Sequence, residues 1–97
     1  MDINRQRLIE VLRETRGFLA RPDNDFAWSS WRDAPEAIRE IDGLISCIES
    51  GQMPKRSDIE MLFLPTGPVQ EVSVSSGWGQ EFVELASRLD EAVGSAF

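Results

Sequence analysis

The chain has 97 residues, of which 41% are hydrophobic, with 10 basic and 17 acidic side chains and a formal charge of −7. That is enough apolar material for one domain, residues 1–97, with a packed core and no disulfide or metal support. There is no histidine, no tyrosine and one cysteine, which excludes a His-based triad, a His metal site, a zinc cluster and an internal disulfide. The negative charge is the opposite of what a reader of nucleic-acid phosphates carries.

Residues 1–22 hold five Arg against three carboxylates, and residues 23–97 hold five basic against fourteen acidic residues. The acidity therefore belongs to the body of the domain. The first predicted helix runs from Asp2 to Ala20. Leu8, Val11, Leu12, Thr15, Phe18 and Leu19 recur at three and four and form one apolar stripe. Pro22 stops it. The start of the chain has no apolar core of signal-peptide length, and the longest apolar run, Met61 to Leu64, is far shorter than a membrane span. With one reduced-type cysteine, these features predict a cytoplasmic protein.

Pro22 to Arg32 reads as a polar loop that carries Phe26, Trp28 and Trp31. At least two of these aromatics are expected to fold back over the core, leaving a Trp as a candidate anchor for a partner. The second predicted helix opens at Asp33 with an acidic capping box, Asp33 to Glu36, and Pro35 in its first turn. It ends at Ser50, with Gly51 as a left-handed cap. Ala37, Ile38, Ile41, Leu44, Ile45 and Ile48 make its apolar stripe. The opposite face carries a strip of small residues, Gly43, Ser46, Cys47 and Ser50, flanked by Glu36 and Glu40 on one side and by Asp42 and Glu49 on the other. Such a strip suits a neighbouring helix, bare solvent or a shallow acid-rimmed docking groove.

Gln52 to Arg56 is a linker, and Ser57 to Glu60 reads as a capping box that starts a short helix ending at Leu64. Pro65-Thr66-Gly67-Pro68 is a turn. Val72-Ser73-Val74 alternates like a strand, but Pro68 as a first helical residue and the Val69/Val72 spacing predict a helix over 68–76, broken at Gly77-Trp78-Gly79. The last predicted helix reaches about Val93, with Phe82, Leu85, Ala86, Leu89 and Val93 inward. Glu81, Glu84, Arg88 and Glu91 face outward, with Glu84 and Arg88 in the favourable order for an ion pair. The fold expected is an all-α small bundle of four or five helices.

Residues 62–90 carry Leu62, Phe63, Pro65, Thr66, Gly67, Pro68, Gln70, Glu71, Gly77 and Trp78. In this they resemble a group of small bacterial helical proteins with a Leu-Phe-x-Pro-Thr-Gly-Pro core, a Gln-Glu pair and a Gly-Trp step before an acidic helix. The resemblance implies a compact helical protein. Size and acidity are similar to those of immunity proteins that neutralise secreted toxins, an analogy only.

Chemistry is scarce in this sequence. The Glu36/Glu40 and Glu81/Glu84 pairs read as solvated helix faces, and Cys47 sits mid-helix with no base to activate it. No enzyme activity, cofactor or metal is expected. The function expected is an acidic protein-binding module, such as an immunity protein for a basic toxin, with a protein partner and neither nucleic acid nor membrane. The alternatives are a structural or regulatory homodimer on the small-residue strip and an acidic nucleic-acid mimic. The partner-binding residues expected are Asp23, Asp25, Trp28, Glu36, Glu40, Gly43, Cys47 and Ser50.

Overall fold

Each apolar stripe of the sequence needs a facing stripe to leave water, and in the computed structural model, which describes residues 3–65 and 67–97, the helices supply one another. Four helices of nine residues or more form the body: α1 (Ile3–Leu19), α2 (Ala34–Glu49), α4 (Pro68–Ser76) and α5 (Gly79–Ala96). A short α3 (Arg56–Glu60) runs into a 3₁₀ turn at Met61–Phe63. There is no strand among the described residues, so the protein is a small all-α bundle. A helix start at Asp2 and the part of Thr66 in the turn lie outside the described residues.

Helix α1 is the shared partner. It packs on α2 along one flank and on α5 along the other, while α4 packs on α5 and on the 3₁₀ turn. Its stripe, Leu8, Val11, Leu12, Thr15 and Leu19, is buried, and Ile9 joins it. Opposite stand Ala37, Ile41, Ile45 and Ile48 of α2, and Phe82, Leu85, Leu89 and Val93 of α5. The buried Thr15 hydroxyl donates to the Val11 carbonyl at 2.8 Å, and Ser73 donates to the Gln70 carbonyl at 2.7 Å. Both polar side chains therefore enter the core with their hydrogen-bonding capacity used.

Local chemistry sets the helix ends. Asp33 accepts from the Glu36 N–H at 3.1 Å and caps α2. Gly51 and Gly77 have positive φ, where an L side chain is strained, and each follows the end of a helix. Gly67 is needed for a different reason. A Cβ there would lie 2.8 Å from the Met61 carbonyl oxygen and 2.9 Å from that of Leu64. The turn between the 3₁₀ segment and α4 closes only around a bare backbone.

Four boundaries or pairs differ from the sequence reading. Helix α3 begins at Arg56, behind Lys55 and with no side-chain cap, so Ser57 does not start it. The helical path past Glu60 tightens to 3₁₀, because it must reach the Gly67 turn within a few residues. Helix α5 continues through Gly94 to Ala96, which still packs against the core. Arg88 does not pair with Glu84. It reaches across to Glu14 on α1, which ties the two helices that share the largest contact.

Candidate docking face

The loop between α1 and α2 is held down by side chains at fixed points. The Asn24 amide donates to the Phe18 carbonyl at 2.7 Å, and its oxygen accepts from the Trp78 indole N–H at 2.9 Å. Trp78 is buried and stacks on Phe18 with ring centroids 4.9 Å apart, and the Arg21 guanidinium covers the Phe18 ring at 4.2 Å. The Asp25 N–H donates to the Ser76 hydroxyl at 2.8 Å. One tryptophan at the α4–α5 corner thus anchors the loop to the opposite end of the sequence.

The three loop aromatics take different places. Trp31 is buried and donates its indole N–H to Glu40. Phe26 is half-buried against the core. Trp28 is 74% exposed. The expectation that at least two aromatics fold inward is met, and Trp28 is the one left outside. An indole this bare gains nothing for folding from burial, and its neighbours define a surface feature.

Trp28 lines an open depression of about 410 Å³ together with Gln70, Glu71, Val74 and Ser75. These four α4 residues occupy the helix face opposite Val69, Val72 and Ser73, which are buried. Gln70 and Val74 also line a second depression, about 720 Å³, between α4 and the first turns of α5. Its other walls include Phe82, Val83, Glu81 and Glu84. The two depressions therefore adjoin at Gln70 and Val74. Together they form an apolar surface of Trp28, Val74 (67% exposed) and Val83 (64% exposed), rimmed by Glu71, Glu81 and Glu84.

Five of the sixteen carboxylates among the described residues sit in ion pairs, and those on this rim are not among the five. Among the described residues the ion pairs are Arg13–Glu49, Arg16–Asp42, Arg32–Glu36, Arg56–Glu60 and Arg88–Glu14. The hydrogen bond from Arg88 holds the Glu14 carboxyl below the usual carboxylate range, and the bond to Glu14 raises Arg88 in turn. Hydrogen bonds to Asp42 and to Glu36 likewise raise Arg16 and Arg32. None of these pairs involves Glu71, Glu81 or Glu84. Glu84 acts on Arg88 only through its charge, because that guanidinium is turned to Glu14.

The residues singled out from sequence are not gathered in one place. Asp23, Asp25 and Trp28 share the loop, where the Asp25 carboxylate accepts from the Ala27 N–H at 2.9 Å and shapes the turn. Glu36 is held by Arg32, and Glu40 by Trp31. On α2, Gly43 is exposed and a Cβ on it would meet nothing within 4 Å, so no helix of this chain packs on the small-residue strip there. Cys47 is half-buried, and the Ser50 hydroxyl donates to the Cys47 carbonyl at 2.7 Å. The acidic flanks of the strip are engaged within the chain on both sides. No metal-holding group of His, Cys, Asp and Glu occurs among the described residues, and no helix there is long and apolar enough to cross a membrane.

Val74 and Val83 were not among the sequence candidates. Their signal was present, as apolar residues on the polar faces of α4 and α5, but a single valine on a solvated face is common enough to carry no meaning alone. In comparisons with family models, with curated proteins and with solved structures, nothing matches this chain.

Proposed function

We propose that the protein is a binding module that docks a basic protein partner on the face built from Trp28, α4 and the start of α5. The observation that carries this reading is the coincidence of bare apolar side chains and uncompensated carboxylates on one surface. Trp28, Val74 and Val83 supply area whose burial drives association, at about 25 cal/mol per Å² before the costs of binding. Glu71, Glu81 and Glu84 supply a negative rim that selects a cationic surface and speeds encounter. A large aromatic at the centre of such a patch is the residue type that dominates interface energetics. Inhibition of a basic toxin by direct binding, the mode of an immunity protein, is the form of this function that suits a chain this small and this acidic.

The test uses the tagged full chain, the Trp28→Ala variant and cell extract from the source of the chain. The expected result is a basic protein retained by the wild type at low salt, released at high salt, and lost on Trp28→Ala. Retention that ignores both salt and Trp28 overturns the reading. So does elution of the protein alone as a dimer that shields Trp28 from a soluble quencher, which instead favours a homo-oligomeric subunit.

A further inference from the structure

We infer that the depression between Trp28 and Glu71 is an arginine-binding subsite, filled by one guanidinium of the basic partner. The inference rests on the reading of this face as a docking surface and names the side chain it selects. Three observations converge. Trp28 presents a largely bare indole, the best aromatic surface for a cation. The Glu71 carboxylate lines the same depression and has no ion-pair partner among the described residues. Val74 also lines the depression, so an indole, an aliphatic side chain and a carboxylate meet there, with Gln70 and Ser75 completing the lining.

That combination discriminates between the two basic side chains. A guanidinium is planar and weakly hydrated, so it can lie on an indole while its edge pairs with a carboxylate. An ammonium is a strongly hydrated point charge and uses only one of these contacts well at a time. The chain already uses the same stacking internally, with Arg21 lying 4.2 Å from the Phe18 ring centroid. None of its own basic residues lines the Trp28 depression. The adjoining space between α4 and α5, walled by Val74, Val83 and Phe82 and rimmed by Glu81 and Glu84, takes the neighbouring apolar and basic side chains of the same segment.

The experiment titrates the full chain with three decapeptides of identical pattern, alternating Leu and Ser with Arg, with Lys or with citrulline, at low salt. Binding is followed by calorimetry and by the emission of Trp28. The Arg peptide is expected to bind, the Lys peptide about five-fold or more weakly, and the neutral citrulline peptide not measurably. Trp28→Leu and Glu71→Gln are each expected to weaken the Arg peptide about five- to thirty-fold. Glu91→Gln, which removes the same charge from a site next to Arg7 and Arg88, is expected to change it less than two-fold. Circular dichroism confirms that each variant is folded.

Equal binding of the Arg and Lys peptides, with Glu71→Gln no different from Glu91→Gln, overturns the subsite and leaves the acidic docking face standing. Failure of both cationic peptides to bind the wild type overturns the docking face and the subsite together. Protein that elutes at twice its mass, with Trp28 protected in the absence of peptide, shows a second copy of the chain in the depression and overturns the proposal as well.

Discussion

The α1–α2 seam and the loop–α4–α5 face both carry several carboxylates, yet those carboxylates are in different electrostatic states. Along the seam, Arg13 meets Glu49 at 2.5 Å and Arg16 meets Asp42 at 2.6 Å, so each charge is balanced across the helix pair. On the other face Glu71, Glu81 and Glu84 surround exposed Trp28, Val74 and Val83 with no such pairing. Five of the ten basic side chains sit in ion pairs between described residues, and the acidic excess that remains is not spread evenly. Net charge is a property of composition. Where the field emerges is a property of which carboxylates the packing leaves without a cation.

The sharpest way to break the comparison is to remove the corner that holds the loop. Trp78 is buried, stacked on Phe18 and bonded to Asn24. Trp78→Ala is expected to cost about 3–5 kcal/mol, read as a fall in midpoint by urea denaturation, and a change below about 1 kcal/mol would remove Trp78 from this role. Asn24→Ala leaves the Trp78 indole N–H without its partner and the Phe18 carbonyl with only the Arg21 N–H. It is expected to cost about 1–3 kcal/mol and to raise proteolytic cutting between Pro22 and Arg32.

Trp28 separates folding from recognition. Trp28→Ala is expected to shift unfolding by no more than about 0.5 kcal/mol, because the side chain is 74% exposed. Acrylamide quenching gives a direct reading in the wild type. Trp31 and Trp78 are buried, so one accessible tryptophan is expected, and it disappears in Trp28→Ala. Two accessible tryptophans would mean that Trp31 or Trp78 leaves its buried place in solution.

The smallest effect concerns the α1–α5 pair. Arg88 depresses the Glu14 pKa by hydrogen bonding. A carboxyl with a depressed folded pKa contributes stability above its unfolded pKa, and that contribution fades as pH falls through the folded value. Both side chains are nearly half exposed, so solvent screening limits the effect to a few tenths of a kcal/mol, about what an exposed pair contributes. Thermal melts of wild type and Glu14→Gln are expected to differ slightly at neutral pH and to converge only once the pH has fallen below the ordinary carboxylate range, because the folded-state value is lowered.

Much of the scaffold was legible from spacing and from punctuation. The stripes of α1, α2 and α5 found their partners because a 3.6-residue period leaves an apolar strip only one way to leave water. Asp33, Pro68, Gly51 and Gly77 act within a turn of their own position, so their roles needed no knowledge of the fold. Arg88 shows the limit of such local reading. Glu84 is one turn away and correctly placed, but Glu14 arrives from another helix and takes the guanidinium. The candidate face shows the same limit. Trp28 stood out as one of three crowded aromatics, and only packing decided that it, not Trp31, would remain outside.

What the amino-acid sequence determined alone is the class of chemistry open to this chain: no imidazole, no thiol pair, a helical core and an acidic surface. Those follow from which side chains exist and from their local period, neither of which depends on distant residues. The tertiary structure decided which carboxylates are neutralised and which indole is bare. It brought residue 28 beside residues 70–75, and no local rule reaches across some forty positions of chain.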